Sequence, residues 1–122
     1  MNFKNSTHHN IFLLQDESIL IKGYRFYGSS WQVQWKNTGF YKKRGSTAIK
    51  NKWEMIPKDT DVLITHSPSF GPLFDDDLRN IVNIISPKLH IFGHVHKGQH
   101  GIIHEYKNTK FVKSCIYNVN NE

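Results

Sequence analysis

At 122 residues the chain is long enough for one modest domain and too short for two. A slightly lean hydrophobic content of 38% is offset by 13% aromatics, and a net charge of +6 suits either a phosphate-bearing partner or ordinary solubility. No apolar run approaches the roughly 20 residues that span a bilayer, and the single cysteine, Cys115, excludes an internal disulfide. A polar Met1 to Asn10 without the apolar core of a secretion signal completes the expectation of a cytoplasmic, non-membrane protein.

In chain order, residues 1–10 read as a disordered tail in which His8 and His9 are exposed polar residues. Ile11 to Leu14 reads as a short strand, Gln15 to Ser18 as a turn, and Ile19 to Ile21 as a second strand. Tyr24 to Tyr27 is a third extended segment, so the first part of the chain reads as a meander feeding one sheet. From Ser29 to Arg44 periodicity disappears, and long loops without structure are usually functional. Trp31, Trp35, Phe40 and Tyr41 with Lys42, Lys43 and Arg44 could stack on and neutralise a nucleotide or a single strand. Alternatively, the loop is tacked to the surface by its own aromatics.

Ser46 can cap a short helix on which Ile49, Trp53 and Ile56 share a face, with Pro57 ending it. Val62 to Thr65 is an unbroken apolar run, as expected of a strand buried on both faces. Leu78, Ile81, Val82 and Ile85 then follow the spacing of one helical face, with Asp75, Asp76 and Asp77 at the start and Pro87 at the stop. Leu89 to Phe92 is a second apolar strand. Strand, helix, strand makes a βαβ unit with parallel strands and a right-handed crossover. Ile102 to Tyr106 and Phe111 to Tyr117 read as a terminal hairpin, followed by a polar tail over residues 119–122.

Parallel strands bring their carboxyl ends to one edge of the sheet, where open α/β sheets bind ligands. His66 and His94 follow the two apolar strands directly, and His96 lies two residues further on. Neutral imidazoles suit zinc, manganese or iron, so His66, His94 and His96 are the candidate metal ligands. Gly93, lacking Cβ, allows a sharp turn and a close approach to a ligand. His90 lies within its strand and reads as structural, and His100 and His104 lack a partner pattern.

Asp61-Val62-Leu63-Ile64-Thr65-His66-Ser67-Pro68 and Phe92-Gly93-His94-Val95-His96 resemble the last two motifs of the calcineurin-like metallophosphoesterases. The likeness is nearer to the metallophosphoesterase domain-containing subgroup. It extends through Leu14-Gln15-Asp16, the segment from Gly23 to Gly28, the Trp31 to Gly45 loop, the segment from Pro87 to Phe92, and the segment from Phe111 to Cys115. It implies an α/β fold that is part of an α/β/β/α sandwich, with residues 11–118 as the C-terminal half of the domain. It also implies hydrolysis of a phosphodiester or nucleotide by two divalent ions (Mn, Fe or Zn). His66 and His94 would hold one ion and His96 the other, while Trp31, Trp35 and Arg44 would contact substrate. The family's Asp-x-His, Gly-Asp and Gly-Asn-His motifs do not occur in this sequence. The chain by itself is therefore expected to be inactive, and a separate or missing N-terminal half is an expected partner. Neither a membrane nor nucleic acid is expected as one. Two other readings stand beside this one: a noncatalytic nucleotide-binding or regulatory remnant, and a small basic nucleic-acid-binding protein.

Overall fold

The computed structural model describes residues 10–33, 39–71, 73–95 and 101–114. The chain opens with a hairpin of β1 (Glu17–Ile21) and β2 (Tyr24–Ser29). Its two-residue turn, Lys22-Gly23, has φ of 50° and 83°, the paired positive values that let a hairpin follow the natural strand twist. The Ile11–Leu14 strand expected from sequence does not form. Asp16 N–H still reaches the Gly28 carbonyl at 2.9 Å, but the Asp16 backbone is left-handed (φ 53°). That reversal ends the ladder, and the segment before it crosses Gly28 so closely that a Cβ there would lie 2.6 Å from Leu14 Cβ.

Two short strands, β3 (Gln32–Val33) and β4 (Tyr41–Lys42), pair in the stretch read as a loop. Helix α1 (Thr47–Glu54) starts where expected, with Ser46 Oγ accepting from Ile49 N–H at 3.3 Å, and it buries Ile49 and Trp53. Strand β5 (Val62–Thr65), helix α2 (Asp76–Ile85) and strand β6 (Leu89–Phe92) form the βαβ unit. Ser86, left-handed at φ 49°, caps α2 one residue before Pro87. A second hairpin joins β7 (Ile103–Tyr106) to β8 (Thr109–Lys113).

The main sheet has six strands in the order β1-β2-β5-β6-β8-β7. Of the expected three-segment meander only the β1–β2 hairpin forms, and β2 pairs on its other side with β5 and runs parallel to it. The chain advances from β2 to β5 to β6 through two crossovers, and right-handed crossovers in one direction put both helices on one face. Tyr27, Leu63, His90 and Phe111 share a register row and are buried on that face, where Trp53, Leu78 and Val82 join the core. The alternate residues point the other way. Among the described residues no helix covers them, and Ile64 and Ile103 are 38% and 59% exposed. The molecule is thus a mixed α/β layer pair, as expected for part of a metallophosphoesterase-like fold.

Candidate metal centre

Thr65 and Phe92 are register partners at the ends of parallel β5 and β6, so His66 and the Gly93-His94 turn leave the sheet side by side. His66 N–H is held by the Ser29 carbonyl of β2 at 3.3 Å. On the other side, Ser114 N–H donates to the Phe92 carbonyl at 2.7 Å, and Val95 N–H to the Gly93 carbonyl at 2.8 Å. The last bond closes a γ-turn centred on His94, whose φ is 67°. A γ-turn with positive central φ is rare and strained, and such strain collects at functional sites. His94, not Gly93, therefore carries the sharp turn. A Cβ on Gly93 would meet Ser114 O at 3.5 Å and His66 Nδ1 at 3.8 Å, both ordinary contacts.

The result is a convergent pair of imidazoles. His66 Nε2 and His94 Nδ1 are 3.1 Å apart, with ring centroids 5.0 Å apart and planes at 74°. With one nitrogen protonated this is a hydrogen bond. The same spacing fits two ligands of one ion: nitrogens about 2.0–2.1 Å from a metal and 3.1 Å apart subtend roughly 100° at it, between octahedral and tetrahedral angles. His96, the third expected ligand, lies outside the described residues, and among those residues no cluster of three acidic, cysteine or histidine side chains forms. A cleft of about 530 Å³ adjoins His66, walled by Phe12, Phe40, Ile64, Ser30 and Gln32.

Behind the pair lies a buried polar network. His90 is wholly buried, with Nε2 2.8 Å from Thr65 Oγ1 and Nδ1 2.7 Å from Ser69 Oγ. Thr65 Oγ1 spends its one proton on the Ser67 carbonyl at 2.5 Å. It must then accept from His90 Nε2–H, and His90 Nδ1 accepts from Ser69. Burial pushes the His90 pKa down to about 3, so the ring is neutral. Arg79 Nε donates to the Ser69 carbonyl at 2.9 Å, and Asp75 N–H to the Pro68 carbonyl at 2.9 Å.

Two of the three substrate candidates, Trp31 and Arg44, lie among the described residues, each with partners of its own. Trp31 is fixed by its indole N–H to Asp16 Oδ2 at 2.8 Å, with Lys42 and Lys52 Nζ 4.6 and 4.7 Å from its ring centroid. Arg44 donates to the Phe74 carbonyl at 2.9 Å and approaches Asp76 at 3.9 Å, beside the start of α2. Trp35 lies outside the described residues. Asp16 was legible only as a turn residue, yet its carboxylate also receives Ser29 Oγ at 2.8 Å and Lys52 Nζ at 3.2 Å. Partial burial raises its pKa, and the hydrogen bonds from Trp31, Ser29 and Lys52 outweigh that and hold it below the ordinary value.

No family model matches the chain. Individual proteins do. Human metallophosphoesterase domain-containing protein 1 is 34% identical across 91% of this chain and 36% of its own length. The Caenorhabditis elegans UPF0046 protein K07C11.7 is 39% identical across 93% of this chain and 40% of its own, and UPF0046 protein T07D4.2 is 34% identical across 91% and 30%. The chain thus spans about a third to two fifths of the length of these relatives, and matches their C-terminal part.

Proposed function

We propose, for a chain that belongs with the C-terminal part of the metallophosphoesterase domain-containing proteins, that it supplies half the metal-holding machinery of a phosphodiester hydrolase. The observation that carries this reading is the convergence of His66 Nε2 and His94 Nδ1 to 3.1 Å at the carboxyl edge of two parallel strands. His66 and His94 would hold one divalent ion, manganese, iron or zinc, and His96 a second. Such ions polarise a phosphoryl oxygen and offset its negative charge. The residues' own contribution is positional. The β5 and β6 ends fix where the imidazoles stand, and the turn at His94 aims its ring at His66. Three neutral rings do not balance two dications, so carboxylates from outside this sequence would complete the site.

The substrate would be a phosphodiester such as a nucleotide, lying in the cleft beside His66 with Phe12 and Phe40 against its apolar part. Trp31, Trp35 and Arg44 would border it in the assembled domain. The test is a manganese-dependent assay on a generic phosphodiester with the chain alone, and with the chain fused to an N-terminal segment bearing Asp-x-His and Gly-Asn-His motifs. The fusion is expected to turn over, to lose activity on His94→Ala, and to lose it to a chelator, while the chain alone stays inactive. Strong chelator-sensitive turnover by the chain alone would overturn the half-site reading. Full activity of the fusion without His94 would overturn the ligand assignment.

A further inference from the structure

Beyond the Ser29 carbonyl that holds His66 N–H, four described groups fix the path of the loop after β5. Thr65 holds the Ser67 carbonyl, His90 holds the Ser69 hydroxyl, Arg79 holds the Ser69 carbonyl, and Asp75 N–H holds the Pro68 carbonyl. Of these groups only His90 reaches both sides of Pro68, through Thr65 on one and Ser69 on the other. It does so from β6, four residues before His94, so a single side chain ties the loop that starts at His66 to the strand that ends beside His94. Thr65, Ser67, Ser69 and His90 are all at most 5% exposed, which leaves water little access to replace a lost bond.

We infer that His90 is a positioning residue for the His66–His94 pair, setting the separation of their ring nitrogens by pinning the His66–Ser69 loop to β6. The inference rests on the metal reading above. An exposed histidine pair on a loose loop would spend part of any binding free energy on ordering that loop, and a pinned loop avoids the cost. The two ring nitrogens of His90 have separable roles. Nε2–H acts through Thr65 on Ser67, next to His66, whereas Nδ1 acts on Ser69, three residues away. The Thr65 side is the one that controls His66.

Two substitutions separate those roles. In His90→Gln the terminal amide lies near the place of Nε2 and still donates to Thr65. In His90→Asn the shorter amide lies near the place of Nδ1 and serves Ser69 only. Zinc uptake by the full chain, followed by isothermal titration with thermal melts of the metal-free proteins alongside, reads both. The expected result is that the two variants melt similarly, that Gln keeps affinity near wild type, and that Asn loses about tenfold, the scale typical of groups that support metal ligands. Equal affinities in all three proteins, or losses in both variants that follow their melting temperatures, would overturn the positioning role. Failure of the wild-type chain to take up zinc at all would overturn the metal reading and this inference together.

Discussion

His94 occupies a left-handed backbone conformation, φ 67°, that glycine adopts far more readily. A non-glycine residue there costs about 1–3 kcal/mol, part of which glycine would return as unfolded-chain entropy. His94→Gly is therefore expected to leave stability unchanged or raise it by about 1 kcal/mol, while removing metal uptake. A urea titration beside a zinc titration checks both. If His94→Gly destabilised the chain clearly, the γ-turn would not be a strained element kept for the imidazole. His90 predicts a pH dependence. Unfolded, its ring protonates near 6.5, and folded, burial holds it neutral down to about 3. Between those values the unfolded chain binds the extra proton, so stability falls as pH drops through that window. The slope attributable to His90 approaches roughly 1.4 kcal/mol per pH unit. Urea melts at pH 7, 6 and 5 should show a shallower fall in His90→Gln, and parallel curves would contradict the buried neutral ring.

At the scale of elements, both helices begin at a residue that accepts backbone N–H groups, but the two caps differ in what else they hold. Ser46 is partly exposed, and among its described bonds its hydroxyl accepts only from Ile49. Asp75 is fully buried and accepts from Asp77 and Leu78 N–H with one oxygen and from Trp53 Nε1, at 2.8 Å, with the other. It thereby joins α2 to α1. Burial raises its pKa despite those hydrogen bonds, so the charge is held at some cost. Ser46→Ala should cost about 1 kcal/mol, a cap alone. Asp75→Ala should cost about 3 kcal/mol, because it also strands a buried indole N–H and opens a cavity. Similar losses in the two variants, measured by chemical denaturation, would mean that the Trp53 link adds little.

For the molecule as a whole, the face of the sheet away from the helices is the feature that governs solution behaviour. Ile19, Phe26, Val62, Ile64, Leu89, Ile91 and Val112 alternate with the buried row, and none of them is buried. Contiguous apolar surface of that kind favours association. The chain is expected to be oligomeric or aggregation-prone and marginally stable. Replacing Ile64, at the centre of the face, by lysine should shift it towards monomer. Sedimentation checks the assembly state, and a monodisperse wild-type monomer melting cooperatively at about 45–65 °C would contradict the expectation.

The elements whose cause is local were legible in the residues themselves. The caps at Ser46 and Asp75, the 3.6-residue spacing of α2 and the apolar runs of β5 and β6 each depend on neighbours a few positions away, and each formed where the pattern placed it. From those runs alone came the parallel pairing that sets His66 beside His94. What depended on distant partners was not legible. Ile11–Leu14 has a strand's composition, but the left-handed Asp16 and the close pass over Gly28 deny it a ladder. A histidine within an apolar strand looks the same in sequence whether idle or bonded. Only the register that stacks Leu63 on His90 brings Thr65 and Ser69 to its two nitrogens. Trp31 and Arg44 read as candidate ligand contacts, and their partners here, Asp16 and the Phe74 carbonyl, were not legible beside them. Composition and periodicity report what a residue can do with its near neighbours, whereas hydrogen bonds between residues tens of positions apart exist only once the sheet order has been set.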